Sequence, residues 1–167
     1  HQVVYLVEHG ISPMIGATVV SIIGISSILG KTGGGWLSDL VEREKVFVTG
    51  NIIMVLSVFT LFLSGTTASV AMAYIFAIFL GVGYSANAAI APAMMSDHFS
   101  GSSFGSILGV GLFGSAAGAA LGPWMAGELF DQKGDYSLAF CLAILCGVLA
   151  AVSGFGVKVL KLTKARI

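Results

Sequence analysis

Two long stretches of the chain, residues 10–30 and 46–96, carry no Asp, Glu, Lys or Arg, and between them lies a short segment, 33–45, that holds Asp39, Glu42, Arg43, Glu44 and Lys45. Uncharged runs of that length fit a hydrocarbon environment, where a spanning helix needs about 20 predominantly apolar residues. Measured by that ruler, the pattern predicts spans over 1–8 (the tail of a helix whose beginning is missing), 13–34, 46–63, 70–95, 104–127 and 138–157. Pro13 suits a first helical turn. The 46–96 run is too long for one crossing, and its small polar interruption at 64–69 is the expected turn. Pro92 is expected to bend the fourth span, because proline removes a backbone donor and crowds the preceding turn. The predicted fold class is all-α, a polytopic membrane helix bundle.

Composition strengthens this picture. Of 167 residues, 56% are hydrophobic and 10% are charged, against about 25% charged in soluble domains. The formal net charge is zero and no basic face is interleaved with aromatics, so nucleic acid is not an expected partner; the lipid bilayer is. Cys141 and Cys146 are five apart inside an apolar run, on different faces of a helix, and are expected to be free, buried thiols. Numbering the connections alternately puts Lys31, Arg43, Lys45, Lys158, Lys161, Lys164 and Arg166 on one side and only Lys133 on the other. Basic residues concentrate in cytoplasmic loops, so a cytoplasmic C-terminus is expected, in the plasma membrane. The chain opens without Met on an apolar run and no signal-peptide pattern, which reads as a fragment.

Helix faces supply the candidate chemistry. Gly111, Gly114, Gly118 and Gly122 share a face of the fifth span and are expected to form a packing seam, since small residues let helices approach closely in lipid. The third and sixth spans, mostly aliphatic, are expected to face lipid. His1, Tyr5 and Glu8 form a polar stripe on the first helix; Tyr84 and Asn87 share a face of the fourth. On the second, Ala17, Ser21, Gly24 and Lys31 form a small polar face, with Ser27 one turn before Lys31. For Ser21, Ser27 and Tyr84, lining a water-filled cavity and hydrogen bonding between helices are equally good readings. An amide such as Asn87 needs several partners in a dry bundle, which favours a substrate or water contact.

Gly35, Asp39 and Arg43 resemble the Gly-x-x-x-Asp-(Arg/Lys)-x-Gly-(Arg/Lys)-(Arg/Lys) signature that major facilitator superfamily transporters carry between their eighth and ninth helices, with Leu40 and Glu42 departing from it. The segments 9–13, 21–26, 34–39, Gly122-Pro123 and 127–131 look like the monocarboxylate and oxalate/formate porter branch. The resemblance implies the second six-helix half of a twelve-helix secondary transporter, with an N-terminal six-helix half as partner and a small anionic substrate between the halves. It implies no cofactor, no metal and no catalytic residue. Lys31 after Gly30 matches the basic residue that in this branch engages the substrate carboxylate or couples a proton; Ser27 stands where the animal monocarboxylate transporters have an Asp. A cation held in a low-dielectric cavity attracts an anion strongly, while a lysine near a helix end also snorkels to the headgroups; both readings of Lys31 stand. The cavity set is then Lys31, Ser27, His1, Tyr5, Tyr84 and Asn87, with His1 a candidate protonation site. The cytoplasmic gate set is Gly35, Asp39 and Arg43, with Asp39 expected beside Arg43 and the helix start at 102–105.

Two other patterns fail on their surroundings. Gly30-Lys31-Thr32 follows Gly24 at the wrong spacing for a phosphate-binding loop and follows no strand. Gly101-Ser102-Ser103-Phe104-Gly105 fits Gly-x-Ser-x-Gly near Asp97 and His98, but a nucleophile elbow needs a strand-to-helix turn. Ser102 or Ser103 is expected to cap the fifth span, with Asp97 and His98 in a solvated loop. Carriers of drugs, sugars or nitrate-like anions share the implied fold. A membrane sensor on a transporter scaffold and an intramembrane hydrolase using Ser103 and His98 are the remaining alternatives.

Overall fold

The computed structural model describes residues 1–99 and 101–164, with side chains to 157. Arg166 and the side chains of Lys158, Lys161 and Lys164, counted above for orientation, lie outside the described residues. Helices α1 (Gln2–Glu8), α2 (Pro13–Leu40), α3 (Arg43–Thr67), α4 (Val70–His98), α5 (Phe104–Lys133) and α6 (Ser137–Lys164) follow one another up and down, with no strand among the described residues. Apart from the short α1, five helices are long and apolar enough to cross a bilayer.

The helices run past the predicted ends because apolarity marks the hydrocarbon core, whereas a helix continues through the headgroup layer until the backbone is capped. The 33–45 segment is therefore no loop. Gly33, Gly34 and Gly35 lie inside α2, only Val41 and Glu42 separate it from α3, and Arg43 and Glu44 form the first turn of α3. Likewise 64–67 stays helical; the turn is Ala68, in the left-handed region at φ 49°, followed by Ser69. The Ser69 hydroxyl accepts from Met72 N at 3.4 Å, and Ser64 Oγ donates to Ser69 O at 3.0 Å, so side chains satisfy two of the polar backbone groups at this two-residue junction. Gly134, at φ 75°, ends α5 in the same left-handed geometry, and Asp135 accepts from Ser137 N at 2.8 Å to start α6.

Helix α4 lies between α2 and α3, and α6 packs on the far side of α3. Small residues set these approaches. A Cβ on Gly30 would meet Val82 O at 2.7 Å, one on Gly34 would meet Ala86 Cβ at 2.8 Å, and one on Gly83 would meet Gly50 O at 2.8 Å. The main core joins Tyr5, Leu6, Val19, Leu61, Phe76 and Tyr136, and a smaller one joins Val46, Ala86 and Ile90.

Four expectations are corrected here. None of α5's residues is buried, and Gly114, Gly118 and Gly122 have open space around them; only Gly111 of the proposed seam touches a helix of this chain, at Met95. Helix α3 is not merely supportive: it buries Glu44, Asn51, Ser57 and Ser64 between its neighbours while exposing Ile52, Leu56 and Phe59. Cys141 and Cys146 are free, as expected, but both are exposed rather than buried. Ser103 occupies the N-cap of α5, yet its side chain makes no capping bond.

Candidate functional site

The sequence-predicted site residues fall into three places. The first is the end of the bundle carrying the α2–α3 and α4–α5 turns. Arg43 Nη1 donates to Asp97 Oδ1 at 2.8 Å and to Ala93 O at 3.2 Å, tying the first turn of α3 to the last turns of α4. Asp39, expected to be Arg43's partner, is exposed and makes no hydrogen bond or ion pair among the described residues. Its place at the end of α2 points it away from α4, because the face with Gly30 and Gly34 is the one that packs. Gly35 accepts the Ser38 hydroxyl through its carbonyl at 2.7 Å. Beside Arg43, Glu44 is 2% exposed, in the first turn of α3, where the positive helix end favours a carboxylate. His98 Nε2 lies 3.8 Å from Glu44 Oε1, and His98 Nδ1 lies 2.8 Å from Met94 O. Asp97 and His98 thus belong to the last turn of α4 rather than to a solvated loop.

The second place is the middle of α2 and α4. Lys31 is exposed and Ser27 is half-buried, on a side of α2 that the Gly30–Val82 contact leaves open. Tyr84 is exposed as well, and neither it nor Lys31 has a hydrogen-bond or ion-pair partner among the described residues. Asn87 does not join them. With its amide oriented to satisfy both ends, Nδ2 donates to Phe47 O at 3.0 Å and Oδ1 accepts from Asn51 Nδ2 at 3.2 Å. Asn51 Nδ2 also donates to Phe47 O at 2.9 Å, and Gly50 leaves the room that the Asn87 side chain fills. The pair is an interhelical fastener between α3 and α4, which corrects the preference for a substrate contact at Asn87.

The third place is the opposite end, at the α5–α6 turn. His1 Nε2 lies 2.9 Å from Pro123 O and Nδ1 lies 3.1 Å from the Tyr136 hydroxyl, which fits a ring that donates from Nε2 and accepts at Nδ1. Tyr5 is buried, donates to Phe62 O at 3.3 Å and packs edge-on against Phe140 at 4.8 Å. Tyr136 stacks on Phe130 at 4.5 Å. Burial, and then the charges of Glu8 and Asp131, push the Tyr136 phenol above its ordinary range. A cleft of about 160 Å³ opens here between Tyr5, Glu8, His9, Phe130, Asp135 and Phe140. His1 and Tyr5 are thus brought together by Tyr136, but as a packed aromatic cluster and not beside Lys31.

Sequence reasoning missed Glu44, Asn51, Asp97, His98 and Tyr136 as organising residues. One signal was present for Asn51: the 46–96 run holds only two amides, Asn51 and Asn87, and in a dry bundle each needs the other. No metal cluster of three or more His, Cys, Asp or Glu occurs among the described residues.

Comparison with known proteins bears on the whole bundle. The family model of the Major Facilitator Superfamily matches residues 2–166. Monocarboxylate transporter 12 of Xenopus laevis is 30% identical over 90% of this chain and 35% of its own length. Monocarboxylate transporter 14 of Mus musculus is 34% identical over 78% of this chain and 26% of its own length. The chain therefore spans between about a quarter and a third of the length of these curated relatives.

Proposed function

From the premise that the chain belongs to the major facilitator superfamily, we propose that it is the second helical half of a secondary transporter that moves a small organic anion of the monocarboxylate type by alternating access. Transport is coupled to protons or to exchange of a second anion, and the substrate sits near the bilayer midplane between this bundle and an N-terminal half. The observation that carries the anionic substrate is Lys31: an exposed cation on α2, with no carboxylate partner among the described residues, on the face left open by α2–α4 packing. Once an N-terminal half covers that face and excludes water, the attraction of an ammonium for a carboxylate rises several-fold over its value in water. Ser27, one turn away, and Tyr84 supply hydroxyls for the same cavity, while His1, held by Tyr136 and Pro123 O at the far end, is the residue that takes up a proton in this reading.

In this reading the end with the α2–α3 turn is cytoplasmic and the membrane is the plasma membrane. Gly35, Asp39 and Arg43 form the gate there: Arg43 fixes α3 to α4, and Asp39 is left available to engage the start of α5 or the other half. Uptake of labelled small carboxylates into proteoliposomes holding the full-length protein tests the proposal. Lys31→Ala is expected to lower uptake at least ten-fold, as loss of a charge-assisted contact of about 1.5–3 kcal/mol implies. Uptake unchanged by that substitution would remove the anchor role.

A further inference from the structure

Glu44 and His98 stand outside the transport reading so far, and their geometry is specific. The Glu44 side chain is 3% exposed in the first turn of α3, and the His98 side chain, 27% exposed, closes the last turn of α4. His98 Nδ1 lies 2.8 Å from Met94 O, a carbonyl that accepts only, so the Nδ1 proton is committed to that bond. The ring's other nitrogen, Nε2, then faces Glu44 Oε1 at 3.8 Å. In a neutral ring Nε2 presents a lone pair to the carboxylate; in a protonated ring it presents an N–H and a positive charge. We propose that Glu44 and His98 form a proton-operated clasp that draws the ends of α3 and α4 together when the cytoplasmic side acidifies.

Three effects add in the protonated state. The Glu44–His98 pair becomes an ion pair shielded from water on the Glu44 side. A cationic ring meets the negative C-terminal end of α4, and the carboxylate meets the positive N-terminal end of α3. When the ring gives up its proton the first two effects vanish and the clasp loosens.

The surrounding charges do not take over this role. Arg43 and Asp97 neutralise each other at 2.8 Å, and Lys45 pairs with Glu42 at 3.4 Å. Glu44 is not without other interactions, and its burial in the first turn of α3 makes it the inner member of the pair. At this end α2 contributes exposed Asp39, and the first turn of α5 carries no titratable side chain. The clasp rests on the transport reading only for which side of the membrane it senses.

The test is backbone hydrogen–deuterium exchange of the purified full-length protein at pH 5.5 and 7.5, corrected for the intrinsic pH dependence of exchange and compared with His98→Gln. Amides in the first turn of α3 and the last turn of α4 are expected to exchange about five-fold more slowly at the lower pH in the native protein. In His98→Gln that difference is expected to vanish. His98 is partly exposed, so this variant keeps the core; Glu44→Gln is expected to lose the difference as well. A native protein with equal protection at both pH values overturns the proposal, and so does a His98→Gln protein that keeps the difference. If Asp97→Asn, rather than His98→Gln, abolishes it, the proton is read at the Arg43 pair and the clasp is wrong. Because exchange needs no substrate, an absence of carboxylate uptake with His98-dependent protection intact defeats the transport reading alone.

Discussion

Tyr136 shows how far a single residue's role depends on its neighbours. In sequence it is one aromatic in a polar turn; in the fold it is 5% exposed, stacked on Phe130, bonded to His1 and flanked by the charges of Glu8 and Asp131. Its raised phenol ionisation has a definite sign for stability. The neutral ring is favoured in the folded state, so the stabilisation is complete below the ordinary phenol value of about 10 and is lost as pH rises through the higher folded value. Tyr136→Phe, which cannot ionise, is therefore expected to flatten the fall in melting temperature between about pH 10 and 12 in detergent. An equally steep fall in the variant assigns the alkaline loss to another group. Asn87 makes the complementary point, since the reasoning that an amide needs partners was right and the partner was Asn51 rather than a ligand. Lys31 and Arg43 were legible as the two cations of interest, but no sequence rule gives Asp97 to Arg43, because that pairing joins residues separated by the full length of α3 and α4.

At the scale of the helix, hydropathy located every long element and misjudged where each one ended. The errors share a cause. The stretch from Gly35 and the 64–69 segment fall outside the predicted spans because glycine and hydroxyl residues mark turns in water. Inside the bundle Gly34 admits Ala86 of α4, Gly65 makes room for the Tyr5 ring, and the hydroxyl residues bond back to their own helix as Thr67 does to Leu63 O at 2.6 Å. The consequence is a sharp contrast between two glycines on α2. Gly30→Ala places a Cβ within 2.7 Å of Val82 O, so α2 and α4 must part, and a loss of about 1–3 kcal/mol is expected in reversible unfolding. Gly24→Ala meets nothing within 4 Å and is expected to stay within about 0.5 kcal/mol of the parent. Equal losses in the two variants contradict the packing described for α2 and α4.

For the whole molecule, the telling feature is helix α5. Its exposed Val110, Phe113 and Trp124, together with the open spaces at Gly114 and Gly118, leave it without a buried residue in this chain. In the proposed transporter this face is available to the N-terminal half, with the glycines as the points of close approach. Gly118→Ile in the full-length protein is expected to lower carboxylate uptake roughly ten-fold at equal expression, from an overpacking cost of about 1–3 kcal/mol at the junction of the halves. Unchanged uptake with normal folding places lipid, rather than protein, against Gly118.

The sequence by itself determined that the chain is a helical membrane bundle, how many long helices it has, and its family, because each of these is written locally: in the length of uncharged runs, in the spacing of small residues and in the Gly35, Asp39 and Arg43 pattern. Tertiary structure decided which glycines are contacts and which are open, which carboxylate meets Arg43, and that Asn87 fastens two helices. It also decided that Glu44 and His98 share one end of the bundle. Those choices depend on how helices rotate about their axes and stack, and a helical period places a residue on a face without saying what stands opposite.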